Sequence, residues 1–415
     1  MNIPQGYKRT ELGIIPEDWE VKRISDFTSI ITGGTPSTQR PEYWGGSIMW
    51  MSSGELNKKF VFDVEGRITT EGLLNSSTHI IPPFCVLIGL AGQGKTRGTA
   101  AYNYISLCTN QSIAAILPND KYNSLYLYYV VDSKYEYLRL LSSGDGGRGG
   151  LNKNLLNSLE ISFPKTIAEQ QAIAEALGDI DGLIAALDKK IAKKRLIKQG
   201  AMSQLLTGKK RLPGFSDPWV EKKFSDLYRY ASEGGTPDTN NMRFYANGDV
   251  PFVKIEDTET KYIESCNSFI TSEGINNSSA WIVPVNSIIY TNGATIGNVS
   301  INKIPVATKQ GILGIIPSSI INLEFMYYLL LSQNFKREVD SRQAKGTFAT
   351  IILKSLDEIP IYLPLNQMEQ IAIATILSDM DKEIADLEAQ RDKYRLLKSG
   401  MMQKLLTGQI RLKIK

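Results

Sequence analysis

The chain has 415 residues, 42% hydrophobic and 22% charged, which is long for one globular domain, comfortable for two, and too apolar for extended disorder. A formal charge of +4 is too small to mark a nucleic-acid binder by itself, although a local basic patch stays open. Cys85, Cys108 and Cys266 have no metal-ligand spacing and fit packing roles in a reducing compartment, while a lone histidine, His79, excludes histidine zinc sites and most histidine triads.

Residues 1–20 are polar and lack the apolar stretch of a signal peptide. From Trp19 to Pro164, short apolar runs such as 47–51, 85–89 and 113–117 are cut by Gly, Pro and Asn turns, which predicts strands. A stretch rich in Leu and Tyr, 125–141, predicts a helix, so this first body is mixed α and β. After Pro164 the pattern changes. Ile173, Leu177, Ile180, Ile184, Leu187 and Ile191 recur at spacings of four and three, predicting a helix over 167–206 with a coiled-coil seam. Such a helix would run about 60 Å.

Gly208 reads as a helix stop and 209–215 as a linker. A second body follows, with a helix expected over 323–339, and then a second long helix, 367–406, seamed by Ile373, Leu377, Met380, Ile384 and Leu387 and closed by Gly408. The longest apolar runs, 84–88 and 312–316, fall far short of the roughly 18 residues a membrane helix needs, so a soluble, cytoplasmic protein with no membrane partner is expected.

Compared with itself at an offset of about 200 residues, the chain matches from end to end. Trp19, Ser25 and Asp26 meet Trp219, Ser225 and Asp226, and Gly33-Gly34-Thr35-Pro36 meets Gly234-Gly235-Thr236-Pro237. Ile68 to Gly72 meets Ile270 to Gly274, each running into Asn-Ser-Ser. The skeleton Gly-x-Thr-x-Gly then Thr-x-Gln recurs at Gly94 to Gln111 and Gly293 to Gln310. Glu169-Gln170, Asp181, Lys198 and Leu205 to Gly208 recur at a constant offset of 200. Glycines and turns persist while polar residues change, as Lys95 and Arg97 against Ala294 and Ile296, which is what one scaffold carrying two different surfaces requires.

The expected fold is therefore α+β. Two mixed α/β bodies, 1–165 and 209–365, are each followed by a long helix, 166–208 and 366–408, with a tail at 409–415. The two helices are expected to bury their seams on each other as an antiparallel coiled coil with approximate twofold symmetry; the alternative is that each stripe packs onto its own body.

This arrangement resembles the specificity subunit of type I restriction and modification enzymes. The resemblance is carried by Thr10-Glu11-Leu12-Gly13-Ile14-Ile15-Pro16 before Trp19, the Gly-Gly-Thr-Pro turns, the Gly-x-Thr-x-Gly loops, the Thr-x-Gln strand starts, and helices opening Glu-Gln and closing Leu-Leu-Thr-Gly. It implies that each body is a target recognition domain reading one half of a split, asymmetric sequence in double-stranded DNA. The helices would set the spacer and dock two modification subunits, with restriction subunits joining the full complex. The chain would have no catalytic site and no cofactor of its own. S-adenosylmethionine would sit on the methyltransferase subunits, and ATP and magnesium on the restriction subunits.

Amide and guanidinium groups on glycine-rich loops can approach base edges closely enough for bidentate contacts. The candidates in the first body are Gln93, Lys95, Thr96, Arg97, Asn110, Gln111 and Arg148. In the second they are Lys254, Asn292, Thr295, Lys309, Gln310 and Lys345. The basic run 189–198 reads either as a solvated helix face or as a contact to DNA phosphate or an acidic partner.

Three motifs point elsewhere. Gly89-Leu90-Ala91-Gly92-Gln93-Gly94-Lys95-Thr96 has Walker A spacing, but a phosphate cradle needs a helix starting at Lys-Thr, and 97–104 reads as a turn and strand. Ile81-Pro82-Pro83-Phe84 resembles an amino-methyltransferase signature without its amide or carboxylate. Pro237-Asp238 with Glu259-Thr260-Lys261 imitates a nuclease metal site, but the first copy has Pro36-Ser37. A nucleotide-driven enzyme and a purely structural coiled-coil adaptor stand as the alternative classes.

Overall fold

The computed structural model describes residues 3–92, 94–142, 150–293, 295–343 and 350–412. The chain divides into two compact units that cut across its linear order: Met1–Asp188 with Gln390–Lys415, and Lys189–Ala389. Each unit therefore holds one globular body, the opening half of the helix that follows it, and the closing half of the other long helix.

In the first unit, five strands form one sheet: β1 (Ile30–Thr32), β2 (Phe60–Val61), β3 (Val86–Gly89), β4 (Ala100–Asn103) and β5 (Ile113–Ile116), in the order β1-β5-β3-β4-β2. Neighbours are antiparallel except β2 and β4, which pair in parallel. Every residue of β3, β4 and β5 is buried, which is why β3 and β5 show as unbroken apolar runs rather than alternation. One face is covered by α1 (Ser124–Ser133), whose Tyr126, Tyr128 and Tyr129 enter the main core, and the other by Met51, Leu56, Ile81 and Leu107. Cys85 lies in that second cluster, where burial pushes its thiol up to about 12 and keeps it a protonated packing group.

The helix expected over 125–141 is two helices, α1 and α2 (Tyr135–Leu141), hinged at Lys134 with φ −95° and ψ 15°. Asn123 starts α1 by accepting from the Tyr126 N–H. Leu138 anchors α2 in the core.

The long helix α3 spans Ile167–Leu205. In the second unit, β6 (Tyr228–Glu233), β7 (Tyr262–Ile263), β8 (Ile288–Thr291), β9 (Val299–Asn302) and β10 (Ile312–Pro317) repeat the first sheet strand for strand, in the order β6-β10-β8-β9-β7. The stretch 323–339 is likewise broken, into α4 (Leu323–Leu330) and α5 (Gln333–Arg342), and α6 spans Gln367–Leu405. Gly208 and Gly408, past the helix ends, have φ of +68° and +69°, the left-handed stop that glycine permits.

Within each unit the two helical segments run antiparallel. In the first, Lys398 Nζ donates to Asp181 at 2.7 Å while Arg391 and Arg395 reach Asp188, so numbers rise on one helix as they fall on the other. In the second, Lys198 pairs with Asp381, Lys194 with Glu383 and Arg195 with Glu388. Part of the basic run 189–198 is thus engaged by carboxylates of α6. The opening turns of each seam meet both partners weighed above. Ile173 and Leu177 are buried in their own body's core together with Leu405 and Leu406 from the end of α6, and Ile373 and Leu377 are buried likewise with Leu205 and Leu206.

The recurring Glu-Gln pairs explain the closure. Gln170 accepts from the Asn123 N–H at 2.8 Å and donates to the Pro164 carbonyl at 3.1 Å, and Gln370 does the same with Asn322 and Pro364. Glu369, fully buried, takes Arg211 on both oxygens at 2.7 and 2.9 Å and the Trp219 indole N–H at 3.3 Å. Glu169 takes Arg411, which also bridges to Asp18 and holds that carboxyl below its ordinary range. The residue just past each long helix therefore locks onto the first turn of the other one.

Candidate nucleic-acid interface

The repeated motifs meet at one end of each sheet. A Cβ on Gly33 would overlap the Thr109 carbonyl, and one on Gly34 would meet Ser77; Gly234 with Thr308 and Gly235 with Ser279 repeat the fit. The Trp50 indole N–H donates to the Gly34 carbonyl at 3.0 Å. Gly-Gly-Thr-Pro, Asn-Ser-Ser and Thr-x-Gln are thus one close-packed joint, and only glycine lets the backbones approach this closely. The joint sits at the sheet end from which the variable loops leave.

In the first unit, the loop after β3 lies beside the turn into β5. The Leu90 N–H donates to the Ser112 carbonyl at 2.8 Å, and the Asn110 N–H donates to the Met51 carbonyl at 3.0 Å. Lys95 and Gln111 are exposed there, and Thr96, Arg97 and Asn110 are half-buried. Asn110 Oδ1 accepts from the Ser112 N–H at 3.1 Å and shapes the turn, and Gln111 Oε1 accepts from the Thr35 hydroxyl. A strand, β4, and not a helix follows Lys95 and Thr96, so the Walker-like spacing has no helix N-terminus to offer a phosphate.

The second unit brings the corresponding loops together in the same way. The Gly293 N–H donates to the Gly311 carbonyl at 3.2 Å, and the Lys309 N–H donates to the Val253 carbonyl at 3.1 Å, beside Lys254. Thr295, Lys309 and Gln310 are exposed and Lys254 is half-buried. Asn292 is different. It is 4% exposed, its amide donates to the Ile351 carbonyl at 3.1 Å, and its backbone pairs with Gly311 and Ile351. In this structure it is a tether for the 351 segment. Gln93, Arg148 and Lys345 lie outside the described residues.

Lys261, part of the nuclease-like pattern, is drawn away from that use. Its ammonium pairs with Glu324 at 2.7 Å, donates to Tyr328 Oη at 3.1 Å and lies 4.7 Å from the Tyr328 ring centre. Among the described residues no group of three or more His, Cys, Asp or Glu side chains is placed to hold a metal ion. Nor, among them, is any helix long and apolar enough to cross a membrane.

Sequence reading missed two sets of residues. Arg211 and Arg411 carry a detectable signal, the same offset of 200 as their glutamate partners. Tyr135 and Arg139, which touch the first unit's glycine loop from α2, carry none, because 125–141 reads as one uninterrupted helix.

A family model described as the type I restriction modification DNA specificity domain matches residues 16–194 and again 216–394. The type I restriction enzyme MjaIX specificity subunit of Methanocaldococcus jannaschii is 24% identical, over 98% of this chain and 96% of that protein. The EcoR124I/EcoR124II specificity subunit of Escherichia coli is 26% identical over 62% of this chain and 64% of its own length. Among solved structures, the S subunit of a type I restriction-modification system from M. genitalium superimposes with a TM-score of 0.59, at 16% identity, over 98% of both chains.

Proposed function

The chain belongs to the type I restriction modification DNA specificity family, carrying that domain twice, and on this premise we propose that each of its two bodies reads one half of a split DNA sequence. The observation that supports this is one scaffold with two faces. Lys95, Arg97, Asn110 and Gln111 in the first body correspond along the sequence repeat to Ala294, Ile296, Lys309 and Gln310 in the second. Identical joints hold different donors and acceptors, and different donor patterns select different bases.

The chain acts as the DNA-addressing subunit, and the chemistry is assigned to its partners. Two modification subunits bring S-adenosylmethionine and transfer the methyl group, and restriction subunits bring ATP and magnesium. Because two half-sites read by one protein must keep to the turn of DNA, about 34 Å, the unspecified spacer is assigned to the long helices, each 39 residues long. They also offer matched docking patches. Leu196 and Ile197 are 68% and 45% exposed, and Leu396 and Leu397 are 76% and 49% exposed. Each pair precedes a helical glycine, Gly200 or Gly400, where a Cβ would meet nothing within 4 Å. A mid-helix glycine costs about 0.5–1 kcal/mol relative to alanine, so its presence in both copies suits the close approach of a partner's backbone.

Methylome sequencing of cells with and without this gene tests the reading. One split adenine-methylated motif is expected to vanish on deletion, and an unchanged motif set would refute the assignment.

A further inference from the structure

The loop after β3 in the first body is rich in glycine. Gly92, Gly94 and Gly98 have φ of +125°, +77° and +82°, and a glycine backbone is entropically costly to order. The neck of the loop closes on itself. The Gly98 N–H donates to the Gly89 carbonyl at 2.9 Å, and the Thr99 hydroxyl donates to the Lys95 carbonyl at 2.5 Å.

The tip is held from outside. Tyr135 Oη donates to the Lys95 carbonyl at 3.2 Å, and Arg139 Nη1 donates to the Gly94 carbonyl. Arg139 also donates to Tyr135 Oη at 3.1 Å, with its guanidinium 5.6 Å from that ring's centre. The two side chains, four residues apart on one helix face, therefore act as a pair. Leu138, fully buried next to them, fixes α2 beneath the loop. A Cβ on Gly98 would already lie 3.4 Å from Leu138 and Arg139, so helix and loop are in direct contact.

The second body is built differently. Among the described residues, α5 gives no hydrogen bond to its loop 293–298, which leans instead on Gly311 and, through Asn292, on Ile351.

We propose that Tyr135 and Arg139 are positioning residues for base recognition by the first body. They turn the Gly94 and Lys95 carbonyls inward to α2 and so present the exposed Lys95 side chain and its neighbour Thr96 to DNA. This rests on the reading of the chain as a DNA specificity subunit. Neither residue needs to touch DNA. Without the pair the loop samples more conformations, ordering it on the duplex costs more, and a wrong base is rejected less well because discrimination depends on where the donors stand.

The test uses the full chain assembled with its modification subunits, carrying Tyr135→Phe, Arg139→Gln or both. Methylation rates are measured on duplexes with single-base changes in either half-site, the first body's half being the one that changes when residues 1–165 are exchanged. In the double variant the cognate-to-mismatch rate ratio is expected to fall about ten-fold in that half-site and to stay within about two-fold in the other. Full discrimination retained in the first body's half-site overturns the proposal, and so does an equal loss in both. If the double variant melts early, Tyr135→Phe, which removes one hydroxyl, is read in its place by the same ratio. A wild-type complex that discriminates at neither half-site would instead sink the specificity reading itself.

Discussion

Replacing Arg211 with alanine is expected to cost the second unit about 3–5 kcal/mol, the range for stripping the partner from a buried charge. Glu369 has no exposed surface in its side chain, and Arg211 occupies both of its oxygens. Once the guanidinium is gone, the Trp219 indole N–H is the one side-chain donor left, among the described residues, to this buried carboxylate. For a unit of this size the loss corresponds to a fall in melting temperature of roughly 10 °C, read by calorimetry. Arg211→Met combined with Glu369→Gln should recover most of it, because the buried charge is removed along with its partner. Arg411→Ala should cost the first unit less, since Arg411 is 39% exposed and solvent moderates what it contributes. A melting temperature unmoved by Arg211→Ala would mean that the lock between the linker and the second helix carries no stability.

Gly234→Ala is the second large effect, expected at about 3 kcal/mol, the upper end of overpacking costs. The added Cβ would overlap the backbone oxygen of Thr308, and a backbone atom inside a sheet has nowhere to go. The Gly234 N–H is itself bonded to the Ile312 carbonyl at 2.9 Å, so the strand cannot slide away without breaking its pairing. Gly54→Ala is the control. There the nearest atom, Ser52 Oγ, is 3.8 Å away, and a change near zero is expected. Chemical denaturation of both variants checks the contrast, and equal midpoints would contradict the close-packed joint.

Much of this architecture was legible because it is written in residues whose physics is local. Gly208 and Gly408 end helices by their left-handed backbone, and the Ile and Leu spacing from Ile173 onward marks a stripe, part buried and part half-buried, on helices that end within one residue of the expected bounds. The repeat exposed the paired bodies without any knowledge of contacts. What stayed hidden depends on meetings across about half the chain. The seams predicted that the long helices pair antiparallel, but not which charged residues would hold the pairing, since neither Asp181 nor Lys398 announces its partner. The break at Lys134 was invisible because Tyr and Leu continue through it, and with the break went the role of α2 under the glycine loop. Asn292 looked like a loop residue open to DNA, yet the following chain buries it against Ile351. The basic run 189–198 read as a solvated face, a DNA phosphate contact or a surface for an acidic partner, and three of its residues, Lys194, Arg195 and Lys198, meet Glu383, Glu388 and Asp381 on the other long helix.

The central claim is that one polypeptide reads two separate half-sites with two separable bodies. Exchanging residues 1–165 for the first body of another family member, followed by sequencing of methylated bases, tests it most directly. One half of the motif should change while the other half and the spacer length between them stay as they were. A motif in which both halves change together, or neither does, would contradict it.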